Sequence, residues 1–168
     1  ADDAEGIGRR EIETAARRRS GAVRPHLRRV ALGLLGGLVA TLTMTIFRMP
    51  VSASPPPTAD FWARYVEGGE PGDHVLVGLL LHLGYGTAAG GLFAALAPVP
   101  PTGTALSREV RGVLAGLVYG LLLSFFGERA LLVGLLEMDL DPDERFVFHA
   151  SHVVYGLTLG TWVGSKTE

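Results

Sequence analysis

The chain has 168 residues, 23 of them glycine, and close to half of them are apolar. That length fits one domain, and the lack of cysteine excludes disulfides, thiolate catalysis and cysteine-held metals. The net charge of −2 hides a strong asymmetry, because the arginines gather early and most of the acids gather later.

Residues 1–29 are polar. Their acids all precede Thr14, and from Arg17 to Arg29 there are six arginines and no acid. This predicts a solvated cytoplasmic tail, partly helical near 9–19, whose arginines contact anionic lipid headgroups beside an apolar span. A nucleic-acid arm is the weaker alternative, and no nucleic-acid partner is expected. The polar stretch is too long before the first apolar run for a signal-peptide pattern.

Four apolar spans follow, at about 30–47, 75–96, 110–126 and 146–163. The first carries no charge and would cover about 27 Å at 1.5 Å per residue, close to a bilayer's hydrocarbon thickness. Arg48 and Pro50 end it, and Pro98, Pro100 and Pro101 close the second. Almost no position on the spans offers a face to water, so a soluble bundle is the poorer reading. The predicted fold class is an all-α membrane protein with four transmembrane helices in residues 30–164, and residues 165–168 form a second short tail. The 48–74 and 127–145 loops are acidic, while the tail and Arg108 are basic, so both termini are expected in the cytoplasm of a multi-pass cell-membrane protein.

Each outer loop holds a further apolar piece. Thr58 is expected to cap a short interfacial helix carrying Phe61, Trp62 and Tyr65. Residues 130–136 either prolong the third span or lie flat on the bundle. The acids from Glu137 to Glu144 fail the calcium-loop spacing and fit a helix start better, with Asp141 as N-cap, Pro142 at N1 and Glu144 at N3.

Two stretches match: His82-x-x-Tyr85-Gly86-x-x-x-Gly90 and His152-x-x-Tyr155-Gly156-x-x-x-Gly160. A shift of 70 lays the second span on the fourth, and a shift of 79 lays the first on the third. The chain therefore reads as a parallel duplication of a two-helix unit about an axis along the membrane normal. Small residues recur every fourth position: Gly33 and Gly37; Gly78, Gly86 and Gly90; Gly112, Gly116 and Gly120; Gly156, Gly160 and Gly164. In lipid such stripes let backbones approach closely, so they are expected to be helix contacts.

The duplication would place His82 and His152 at matched depth, with Tyr85 and Tyr155 one turn deeper. The plain reading is that each imidazole bonds a carbonyl or a tyrosine and locks two helices. The sharper one is a bis-histidine site for haem b, with glycines letting a flat macrocycle lie against the backbone. With His149 added, three histidines could ligate a transition metal. No acyl-transfer elbow, phosphate loop or dinucleotide pattern is present, so an enzyme is not expected. No Asp or Glu lies within the four spans, which weakens an ion-coupled pump.

Residues 30–164 resemble a family of small four-span membrane proteins of halophilic archaea whose function is not established. The resemblance rests on Gly-Leu-Leu-Gly-Gly-Leu-Val-Ala-Thr in the first span, on Phe-Arg48-Met-Pro50 with the following Pro-Pro-Pro-Thr-Ala-Asp-Phe-Trp-Ala, and on the two His-x-x-Tyr-Gly stretches. It implies an integral membrane protein and assigns no catalytic residue. The functional expectation is a structural or accessory subunit that associates with other membrane subunits or with itself. The alternatives are a haem- or metal-binding redox subunit and a small oligomeric transporter or channel.

Overall fold

The computed structural model describes residues 2–52, 54–96 and 106–166, with side chains from Pro25 onward. Every regular element among them is helical. The order is α1 (Asp2–Arg48), α2 (Pro57–Trp62), α3 (Val75–Leu96), α4 (Arg108–Phe126) and α5 (Pro142–Lys166). Pro98, Pro100 and Pro101 and the side chains of the arginines before Pro25 lie outside the described residues.

α1 continues through the polar stretch without a break and keeps Pro25 inside it. The helical part is thus longer than the expected 9–19, since Ala, Glu and Arg are strong helix formers and dominate that stretch. α1 ends at Arg48, where the amides of Val51 and Ser52 both turn back to the Arg48 carbonyl. α2 begins at Pro57 with Pro56 at its cap position. Thr58 is not the cap. Its hydroxyl donates instead to the Gly78 carbonyl at 2.5 Å, pinning α2 onto α3. At α5 the expected start holds: Glu144 N donates to Asp141 Oδ1 at 2.8 Å.

Residues 130–133 prolong α4, and 134–136 form the turn that ends it. Gly127–Val133 continues the helix in π-helical turns, with Gly134 N bonded to Arg129 O and Leu136 N to Leu131 O. Three helical stretches are long and apolar enough to cross a membrane: Pro25–Arg48, Pro71–Leu96 and Arg108–Val133. α5 has 25 residues but is not among them. His149, Ser151, His152, Thr158 and Thr161 dilute its apolarity. It lies between α1 and α4, with Tyr155, Leu159, Val163 and three glycines buried, so less of its surface needs to be lipophilic.

The packing is inside-out relative to a water-soluble bundle. Ala40, Thr41, Ala89, Ser124 and Ser151 are buried, whereas Leu38, Leu80, Leu92, Val118, Leu122 and Phe125 are exposed. Two seams hold it. In the first, a Cβ added to Gly37 would stand 2.5 Å from the Gly86 carbonyl and 2.9 Å from Gly90 Cα. In the second, one added to Gly116 would stand 2.7 Å from Gly160 Cα, with the Gly156 carbonyl nearer still. Gly33 meets Gly90 and Ala94, while Gly112 meets Gly160 and Gly164. Gly120 lies against His152 and Gly156. Gly78 differs from the rest, since it receives Ala59 of α2 rather than a long helix.

The pairs join unequally. α1 lies close on α5, with Ala40 fully buried and Gly36 against Trp162. α3 and α4 are held apart by Tyr119, whose hydroxyl donates to the Ala89 carbonyl at 2.8 Å and whose ring lies 5.1 Å from that of Phe93. A shift of 79 lays Tyr119 on Ala40 and Ala115 on Gly36, so α4 carries larger residues where α1 meets α5 with small ones.

Candidate functional site

At the end of the bundle where α1 terminates, the helices diverge around a cavity of about 530 Å³. Met44 of α1, Leu79 of α3, Phe148 of α5 and Leu132 after α4 wall it. His82, Tyr85, Ser151 and His152 supply polar groups, and Arg48 stands at the end of α1. Phe61 also lines it, so the α2 aromatics act here as a cover. The Phe61 and Tyr65 rings lie 5.4 Å apart. Tyr65 donates to the Leu135 carbonyl at 2.6 Å, and Arg64 pairs with Glu137 at 2.7 Å and bonds the Leu136 carbonyl. Trp62 turns to Glu67 at 2.8 Å. The segments after α1 and after α4 are thereby laced together over the cavity.

A second cavity of about 380 Å³ adjoins the first and shares Arg48, Pro57, Leu132 and Phe148 with it. Asp60 and Glu144 line this one. Burial pushes the Asp60 carboxyl above the usual carboxylate range, against the smaller opposing effects of its backbone hydrogen bond and of Arg48.

The structure brings His82, Tyr85 and His152 to one cavity and leaves Tyr155 and His149 elsewhere. Tyr155 is 2% exposed, and its hydroxyl donates to the Gly86 carbonyl at 2.7 Å. His149 has Nδ1 against Ser124 Oγ and Nε2 3.3 Å from Glu128 Oε2. With both ring nitrogens so engaged, it does not join a three-histidine set. Among the described residues no group of three or more His, Asp or Glu side chains could hold a metal ion. The glycines that would let a haem macrocycle lie flat are filled as well: Gly86 by Thr41, Gly156 by Gly116 and Gly120.

One functional candidate escapes the sequence reading. Glu128 counts there as a loop acid, yet it lies in the helical continuation of α4 with 8% exposure. Arg145 Nε donates to its Oε1 at 2.7 Å, and Arg145 also reaches Asp139 at 3.4 Å. The spacing carried the signal, since Ser124 and Glu128 are four apart on one helix and Arg145 and His149 are four apart on another. The resulting chain, Ser124–His149–Glu128–Arg145, fixes α5 against the end of α4. Comparison with known protein families, curated proteins and solved structures finds no match to this chain.

Proposed function

We propose that the chain is a non-enzymatic, four-span integral membrane scaffold, built as a parallel duplication with both termini cytoplasmic, that serves as an accessory subunit through helix packing and association. The observation that carries the reading is the register of the two seams. Gly33, Gly37 and Thr41 meet the 86–94 face of α3 in the same pairings in which Gly112, Gly116 and Gly120 meet the 156–164 face of α5. Backbone contact of that kind is the main source of adhesion between helices in lipid. It makes each pair a stiff unit. α5 counts as the fourth span because its length suffices, Ser151 and His152 are buried, and the Thr158 and Thr161 hydroxyls bond carbonyls of the helix itself. The haloarchaeal resemblance agrees with this architecture.

The laced outer loops are the partner surface. Arg64 and Tyr65 hold the 135–137 turn in place, and Asp139, Asp141 and Asp143 project from it as a fixed acidic patch. The test is mass measurement of the tagged chain extracted from its own membranes in mild detergent. A discrete assembly larger than a monomer, lost in the triple Asp139→Asn, Asp141→Asn, Asp143→Asn variant, is expected. A monomer under every mild extraction would defeat the reading. For topology, a single cysteine at 139 should label from outside and one at 166 only from inside, and the reverse pattern or labelling of both from one side would overturn the orientation.

A further inference from the structure

The two His-x-x-Tyr stretches do not do the same thing. In the second, His152 Nδ1 bonds the Phe148 carbonyl at 2.9 Å, four residues back, and Tyr155 bonds the Gly86 carbonyl. Tyr155 is thus satisfied within the protein, and His152 has its Nδ1 engaged there. In the first, the carbonyl equivalent to that of Phe148 belongs to Gly78, and the Thr58 hydroxyl of α2 engages it. The carbonyl equivalent to Tyr155's acceptor belongs to Gly156, and no hydrogen bond from Tyr85 reaches it. His82 and Tyr85 accordingly make no hydrogen bond to the described residues, and both line the larger cavity. Neither is fully buried, Tyr85 being 40% exposed, but polar groups that face apolar walls without a partner are costly and call for one from outside.

The available chemistry selects that partner. A carbonyl only accepts, so Nδ1 of His152 carries its proton and Nε2 is left as an acceptor on a residue that lines the cavity. An acceptor there and donors at His82 and Tyr85 suit a hydroxyl, which both donates and accepts. His82 lies seven residues into α3, about 10 Å from its start, a depth at which a charged headgroup is expensive. Arg48 attracts no anion on balance, because Asp60 and Glu144 share its second cavity. The volume is that of a small-molecule pocket, roughly 300–1,000 Å³, and the walls are mainly aliphatic.

We propose that this cavity binds an uncharged hydroxylated lipid, its hydroxyl held between His152 and the freed His82 and Tyr85 and its apolar body along Met44, Leu79 and Leu132. Such binding goes beyond the scaffold role. It requires α1 and α3 to lie in the bilayer, but neither the duplication nor a partner protein.

The experiment titrates the purified full-length chain in detergent micelles with farnesol and with a decyl-substituted hydroquinone. Farnesyl methyl ether and farnesoic acid are the controls. Saturable 1:1 binding of either hydroxyl compound is expected, and the tighter of the two tells an isoprenoid alcohol from a phenol. The ether should bind about tenfold more weakly, the usual effect of leaving buried polar groups unpaired. His82→Leu should weaken farnesol or hydroquinone binding about tenfold and Tyr85→Phe several-fold, with the melting midpoint of the free protein unchanged, since neither side chain bonds the protein. Thr58→Val, which releases the Gly78 carbonyl to His82, should also weaken binding. Equal affinity for ether and alcohol, tighter binding of the acid, no binding of either hydroxyl compound, or wild-type affinity in His82→Leu would each overturn the proposal. So would a Soret band that co-purifies with the chain and vanishes in His82→Leu, which would give the cavity to haem.

Discussion

Gly90→Ala tests the seam on which the fold depends. A Cβ at this position would stand 2.5 Å from Gly37 Cα and 2.7 Å from Gly37 N, with the Gly33 carbonyl nearer still. Ordinary contact begins at 3.4 Å, so α1 and α3 must part by about 1 Å there, and backbone cannot swing aside as a flexible side chain can. Overpacking of this kind costs about 1–3 kcal/mol, and a gap of about 1 Å forfeits up to half of each neighbouring contact well. Alanine's better helix propensity returns only about 0.5–1 kcal/mol. The net loss is about 2 kcal/mol, or a drop of about 4–8 °C in melting midpoint for a chain of this size. Gly84→Ala on the same helix is the control, because nothing lies within 4 Å of its added Cβ, and it should melt at or above the parent. Gly160→Ala is the matching position on α5 and should cost about as much, since its Cβ would stand 2.9 Å from the Gly112 carbonyl carbon, with the carbonyl oxygen nearer still. Thermal melts in one detergent, followed by helical circular dichroism, rank the three. If Gly90→Ala melts with Gly84→Ala, the seam is not as close as described and the packing argument fails.

Other substitutions probe the polar contacts. Glu128→Gln weakens the charge-assisted bonds to Arg145 and His149 and should cost about 1–3 kcal/mol, read as a lower melting midpoint; an unchanged midpoint would mean that the pairing does not form. Tyr155→Phe strands the Gly86 carbonyl and should cost about 1–3 kcal/mol, whereas Tyr85→Phe should leave the free protein's midpoint where it was; equal effects would remove the asymmetry between the two stretches. Asp60→Asn tests the raised carboxyl. A group whose folded pKa is raised stabilises fully below its unfolded pKa and loses that contribution as pH rises through the folded value. The variant should therefore out-melt the parent at pH 7, with the gap closing as pH falls towards the ordinary carboxylate range. A gap that does not change with pH would place Asp60 in open water.

How much of this was legible depended on whether a residue's partner could be reached by periodicity. Helix existence was, because runs such as 75–96 are apolar on every face and end at Pro or Arg. The start of α5 was legible too, since a cap is a local matter of Asp141 and the amide three residues on. The Thr58 cap failed because the same hydroxyl had a distant competitor, the Gly78 carbonyl, which only tertiary packing brings near. Glu128 was misplaced for a related reason. The third span was bounded at Phe126 with its prolongation through 130–136 left open, and the polar residues that follow are paired with Arg145 and His149 as the helix continues in a wider π-helical turn.

The two His-x-x-Tyr stretches show the limit most clearly. Sequence equivalence makes His82 and His152, or Tyr85 and Tyr155, look interchangeable, and their spacing is identical. The difference arises from the residues around them that are not equivalent. Phe148 keeps its carbonyl for His152, while Gly78 has its own engaged by Thr58. Ala40 lets α1 close on α5, while Tyr119 holds α4 off α3. Tyr155 ends 2% exposed and Tyr85 40% exposed. The two glycine seams make the same kind of backbone contact. Where α2 crosses the helix of the first, Thr58 takes the Gly78 carbonyl, and two polar side chains are left facing a cavity with bonds still to make.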